Sequence, residues 1–211
     1  NGRSLATASD GTNSLGFAYN ADGLRTSKTV NGVTYRYYYA GGKLMRMTWG
    51  GNTIDFFYDA NGTPYAMKYN GTVYYYVTNL QGDVMRIVDA SGTVVASYDY
   101  DPYGKVGSLA NINPLRYRGY VYDQETGFYY LQSRYYDPTI GRFLNVDGYV
   151  STGQGIIGHN MFAYCGNSPA NFSDETGHVA IGQEVLNTGL LLLLASLDGP
   201  LPFADFMISA Y

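Results

Sequence analysis

Between Val33 and Ala40 the chain reads VTYRYYYA, with Val33, Tyr35, Tyr37 and Tyr39 on one side of an extended backbone and Thr34, Arg36 and Tyr38 on the other. The same period of two runs through TIDFFYD, where Ile54, Phe56 and Tyr58 alternate with Thr53, Asp55 and Phe57. In TVYYYVT, Val73, Tyr75 and Val77 oppose Tyr74 and Tyr76. Aromatic rings on both sides predict a long twisted antiparallel sheet with one apolar and one amphipathic face. Tyr suits the amphipathic face because its ring packs while its hydroxyl stays wet. No helical period competes before residue 105.

Glycine punctuates this alternation. Gly23, Gly32, Gly42, Gly51, Gly62, Gly71, Gly82, Gly92 and Gly104 recur at intervals of 9 to 12 residues, most of them preceded by Asn, Asp or Gly. Such pairs tolerate the positive φ that two-residue hairpins need. The spacing predicts strands of about seven residues in an all-β meander of roughly eight to ten strands. A sheet of near-identical hairpins has no natural end, so it must close, coil into a spiral or be capped. A segment cut from it is expected to self-associate through its exposed edges.

The composition sharpens this picture. Of 211 residues, 27 are Gly and 24 are Tyr, a bias toward pleated surface and tight turns. Lys and Arg number only 13 against 17 acidic residues, for a net charge of -4, so the chain lacks the basic surface that nucleic-acid binding requires. The single cysteine, Cys165, excludes an internal disulfide framework and a Cys-rich metal site. The opening NGRSLATASDG has no methionine and no basic-then-apolar segment, and reads as part of a longer polypeptide. After residue 178 the glycine period is lost. The tail reads as helical around Gln183 to Leu197, and its apolar run from Val185 to Leu197 falls short of the roughly 20 residues of a membrane span.

Three stretches together resemble a known family: YNADGLRTSKTV (Tyr19 to Val30), the Tyr-rich run from Phe57 to Val106, and LRYRGYVYDQETGFYYLQSRYYDPTIGRFLNVDG (Leu115 to Gly148). They are similar to the rearrangement-hotspot (Rhs), or YD-repeat, proteins, and the resemblance covers about residues 17 to 178. It divides the chain into YD repeats (1–104), the repeat-associated core (105–178) and the apolar tail (179–211). It implies part of a spiral, hollow β-shell, as in teneurins and the C component of insecticidal toxin complexes. The core would close a shell that holds a C-terminal toxin in a secreted or surface bacterial protein. Implied partners are the upstream repeats and the effector of the same polypeptide, with an immunity protein or secretion component beyond them. No cofactor is implied.

Some members of the family cut themselves after the core with two aspartates in Asp-Pro-X-Gly-Leu-like motifs. The matching positions are Asp147 in NVDGYVSTGQG and Asp174 in NFSDETGH, with Arg142 aligned to an assisting arginine. Gly148 stands where the motif has Pro, Glu175 does so at the second site, and His178 replaces Leu. Two adjacent carboxylates share a proton and can serve as acid and base toward water. The plainer reading makes both aspartates turn residues.

The same weighing applies to the other candidates. Asp101-Pro102 and Asp137-Pro138 read as turn formers. Gly41 to Lys43 reads as a hairpin and not a phosphate loop. His159 and His178 lack metal-site spacing. Cys165 reads as a buried thiol. Three functions follow: a shell segment that encloses and presents an effector, an aspartyl autoprotease that frees the effector after about His178, and a glycan-binding adhesion module whose exposed tyrosines stack on sugars.

Overall fold

The computed structural model describes residues 4–9, 11–105, 112–147, 160–178 and 180–182; His159 and the tail read as helical lie outside them. Ten strands form one antiparallel meander in strict chain order. They are β1 (Thr7–Ser9), β2 (Ser14–Tyr19), β3 (Arg25–Val30), β4 (Val33–Ala40), β5 (Lys43–Trp49), β6 (Asn52–Tyr58), β7 (Pro64–Tyr69), β8 (Thr72–Thr78), β9 (Val84–Val88) and β10 (Val94–Ser97). All nine spaced glycines have positive φ, so each stands at a turn. β1 and β10 form the sheet's two edges, and Val94 and Val95 are exposed on β10.

The turns at the two ends of the strands differ, and the difference bends the sheet. Along one end, the pairs Asn31-Gly32, Gly50-Gly51 and Asn70-Gly71 make two-residue turns with both residues at positive φ. A five-residue turn opened by Asp89 also stands there. Along the other end, five-residue turns opened by Asn20, Asp59 and Asn79 flank the two-residue Gly41-Gly42 turn. The Asp59 carboxylate accepts from the amides of Asn61 and Thr63, both at 2.9 Å. Asn79 and Asp101 hold their own turns through the same two contacts. At this end the ladder registers shift between Ala18 and Tyr19, Tyr38 and Tyr39, Phe57 and Tyr58, and Val77 and Thr78. These bulges, with one more between Val94 and Ala96 in the β9–β10 pair, add twist and curl the sheet.

The Tyr before the Asn or Asp of the turn has its own task. Tyr19 donates to the Leu5 carbonyl (2.7 Å), Tyr58 to Leu44 (2.8 Å) and Tyr100 to Val84 (2.7 Å). One Tyr-Asp unit thus satisfies a carbonyl on a preceding strand and caps its own turn. The pattern is a physical account of the repeat.

A second antiparallel sheet packs against the buried face of the meander: β11 (Val121–Asp123), β12 (Phe128–Leu131), β13 (Arg134–Asp137) and β14 (Arg142–Phe143). Val121, Tyr130 and Tyr135 join Tyr37, Met47, Ile54, Phe56, Met67 and Tyr76 of the meander in one core. The opposite side of this small sheet carries Tyr129, Leu131, Tyr136 and Phe143, packed with Tyr117, Tyr120, Tyr164 and Cys165. Rings crowd there: Tyr136 and Tyr164 have centroids 4.1 Å apart. Three hydroxyls dock the 101–105 turn onto this core, with Tyr117 donating to Pro102, Tyr136 to Tyr103 and Tyr129 to Gly104. A two-stranded ladder, β15 (Phe172–Ser173) with β16 (Ile181–Gly182), completes the described strands.

Candidate functional site: two buried aspartates on one guanidinium

The tight reversal between β12 and β13 builds the site. Gln132 there has a φ of 58°, and Ser133 Oγ donates to the carbonyls of Thr176 (2.7 Å) and Gly177 (2.8 Å). Gly177, at φ 74°, lies so close that a Cβ would come 2.5 Å from the Leu131 carbonyl oxygen. Only glycine fits this approach. The reversal therefore holds the 174–178 loop against the start of β13.

Arg134, the first residue of β13, is buried at 3% exposure and serves everything around it. Its Nε donates to the Gly177 carbonyl and one terminal nitrogen donates to Met161 (2.9 Å). The other terminal nitrogen pairs with Asp147 Oδ2 at 3.0 Å and Asp174 Oδ2 at 3.2 Å. The ring of Phe143 covers the guanidinium, with its centroid 3.5 Å from Cζ. Both aspartates are almost wholly buried. Sharing one nitrogen puts the two carboxylate oxygens within about 6 Å of each other, close enough to couple.

Asp174 is fixed on both sides: its backbone N–H donates to the Tyr120 hydroxyl (2.9 Å), and its Oδ1 accepts from the His178 N–H (3.0 Å). Burial pushes its carboxyl above the usual range, against the pull of Arg134. Burial also lowers the Arg134 guanidinium, with both carboxylates acting the other way. Asp147 Oδ1 lies 2.8 Å from the imidazole Nδ1 of His178. The site thus holds two buried carboxyl groups, of which Asp174 is pushed toward its neutral form, one shared cation and one imidazole.

The fold brings Asp147 and Asp174 together, as a shared-site reading requires, but places Arg142 elsewhere. Arg142 is exposed on β14, opposite Asp137 in the ladder. Arg134 occupies the place between the aspartates, and sequence reasoning missed it. The available signal was an arginine opening the strand RYYD beside aromatic neighbours. Cys165 is buried and its thiol is pushed up to about 12, mainly by burial, which keeps it protonated. Asp101 and Asp137 cap their own turns. Gly41-Gly42 makes the β4–β5 turn.

A groove of about 400 Å³ runs beside the site, between the bulged end of the meander and the small sheet. Tyr39, Lys43, Asn61, Arg118, Gln132 and Glu175 line it. Lys43 and Glu175 pair at 3.0 Å, tying the Asp174 loop to the β4–β5 hairpin.

Comparison with known proteins agrees with this architecture. A family model described as Teneurin YD-shell matches residues 50–164. The chain is 36% identical over 171 residues to the tRNA nuclease WapA of Bacillus subtilis strain 168, covering 77% of this chain and 7% of that protein. It is 39% identical over 171 residues to the tRNA(Glu)-specific nuclease WapA of Bacillus subtilis subsp. natto, with the same two coverages. Among solved structures, the TcdB2-TccC3-Cdc42 crystal structure aligns with 82% of this chain and 9% of that one, at a TM-score of 0.63 and 22% identity. That likeness is one of fold, a β-shell wall. Matched by the family model across both its repeat sheet and its core, the chain belongs to the YD-shell family of teneurin and Rhs proteins.

Proposed function

We propose that this segment closes a hollow β-shell around a C-terminal effector of the same polypeptide and presents it from a secreted or surface-exposed protein. The observation that carries the reading is the small sheet seated on the inner face of the meander and locked there by buried charge. Arg25 and Lys28 of β3 pair with Asp123 at the end of β11. A shell wall needs such a seal where its repeats end. The nuclease relatives are far longer than the stretch they share with this chain, which leaves room for a separate effector. Protease challenge of the full-length protein tests the idea: the effector should resist digestion while the shell is intact. Digestion as fast as that of the isolated effector would sink it.

A second reading, self-cleavage after His178, is favoured by the Asp147–Arg134–Asp174 arrangement. Asp174, pushed toward its neutral form, is the acid; Asp147, beside Arg134, is the base. Asp147 takes a proton from a water whose oxygen bonds to the His178 carbonyl carbon. Asp174 gives its proton to the departing nitrogen as the C–N bond breaks. The products are a carboxyl end at His178 and a new amino end at residue 179. Intact mass of the full-length protein checks this, with Asp147→Asn and Asp174→Asn expected to remain whole. Glycan binding has less behind it, because the exposed Tyr38, Tyr65 and Tyr75 recur with the repeat, and of the three only Tyr65 and Tyr75 stand on neighbouring strands.

A further inference from the structure

We propose that His178 is a positioning residue for this cut, and that its imidazole makes the site select a hydrogen-bond donor on the amino side of the breaking bond. The inference rests on the self-cleavage reading. Its basis is that one residue reaches both aspartates at once. The His178 backbone N–H donates to Asp174 Oδ1 at 3.0 Å, and its ring Nδ1 lies 2.8 Å from Asp147 Oδ1.

The loop that delivers His178 has little freedom. Ser133 holds the carbonyls of Thr176 and Gly177, Arg134 holds Gly177 as well, and Gly177 has no space for a Cβ. The peptide at 178 is thus placed by its surroundings, and its side chain alone distinguishes one residue from another. Asp147 is buried, with its Oδ2 turned to Arg134. A leucine at 178, as the resemblance implies, would offer Oδ1 no donor, and a buried carboxylate oxygen loses much when a donor is withdrawn. The imidazole supplies that donor through Nδ1–H and fixes the residue on both acid and base. Each carboxylate oxygen accepts through two lone pairs, so the contact still leaves room for a water.

Two substitutions in the full-length protein separate this role from simple packing. His178→Leu keeps bulk and removes the donor; His178→Asn keeps a donor at a similar reach. Single-turnover cleavage, followed by intact mass, should slow by about 10- to 100-fold in His178→Leu, the worth of a hydrogen bond to a charged group. His178→Asn should recover most of that rate. Cleavage of His178→Leu at the wild-type rate or faster would overturn the inference, as would His178→Asn being as slow as His178→Leu.

The contact also has a readout without cleavage. Modification of His178 by diethyl pyrocarbonate, read by peptide mass, should speed up several-fold in Asp147→Ala, and an unchanged rate would count against the contact. If the wild type stays whole, the cleavage reading fails, and the role given to His178 fails with it. A wild type that cuts while His178→Leu cuts equally well sinks the positioning role alone.

Discussion

Arg25 and Asp123, 98 residues apart in the chain, form a fully buried ion pair that fastens the core sheet to the repeat sheet. One Arg25 nitrogen donates to Asp123 Oδ1 at 3.1 Å, and Lys28 reaches the same oxygen at 3.0 Å. The guanidinium also lies against the rings of Tyr37 and Tyr130, at 4.6 and 4.4 Å from their centroids. Burial opposes the Asp123 charge, yet the two cations hold its carboxyl below the usual range. Asp123→Ala would leave the buried Arg25 without its carboxylate and Lys28 with Glu125 alone, and should cost about 3–5 kcal/mol, read as a lower urea midpoint. Because the folded-state value is depressed, this stabilisation is present above the unfolded value near pH 4 and is lost as pH falls below it through the folded-state value. The acid limb of the stability profile should therefore be weaker in Asp123→Ala. An unchanged limb would mean the pair does not stabilise the junction of the two sheets.

Asp174 has the opposite sign. Its folded-state carboxyl is raised, mainly by burial, so its neutral form is favoured on folding. The stability linked to it is complete below the unfolded value near 4 and is lost as pH rises through the folded value. Asp174→Asn cannot titrate. Its stability relative to wild type should therefore improve as pH is raised from about 4 to 7, measured by urea unfolding at each pH. A constant difference across that range would contradict the raised value.

The Tyr-Asp repeat unit makes a local prediction. Tyr58→Phe leaves the half-buried Leu44 carbonyl without its donor and should cost about 1 kcal/mol. Asp59→Ala, which removes the cap from two turn amides, should cost a similar amount. Tyr75→Phe, on an exposed position of β8, should be close to neutral. A loss at Tyr58→Phe no larger than that at Tyr75→Phe would show that the hydroxyl bond to Leu44 does not stabilise the repeat.

The meander was legible in the sequence because its causes are local. Glycine pairs fix the turns, and alternation between them fixes the strands. The buried face was harder to read. In TVYYYVT it is Tyr76 that is buried, while Tyr75 and Val77 on the more aliphatic side are exposed. Arg25 and Lys28 look like ordinary solvated residues of a strand until Asp123 arrives from the core. A charge buried by a partner about a hundred residues away leaves no periodic trace. Motif resemblance pointed to two aspartates that the fold brings together, whereas it pointed to Arg142 and the structure sets Arg134 between them. Arg142 and Arg134 stand in the same short stretch, and only the path of β13 and β14 sets one inward and the other in solvent.

That difference between the two arginines leads to a sharp test. Arg134→Met would leave Asp147 and Asp174 buried around an apolar chain, take its donor from the Met161 carbonyl and leave Gly177 with Ser133 alone. Loss of about 3–5 kcal/mol is expected, since removing one partner strands the others. Arg134→Lys keeps the charge but lacks the planar fork that serves four acceptors, so it should recover only part of the loss. Arg142→Ala, at an exposed position, should stay within about 0.5 kcal/mol of wild type. Urea unfolding of the three variants decides the matter. If Arg142→Ala falls as far as Arg134→Met, the outer arginine has a role that its place on β14 does not explain. If Arg134→Lys matches wild type, charge alone suffices and the fork geometry is irrelevant.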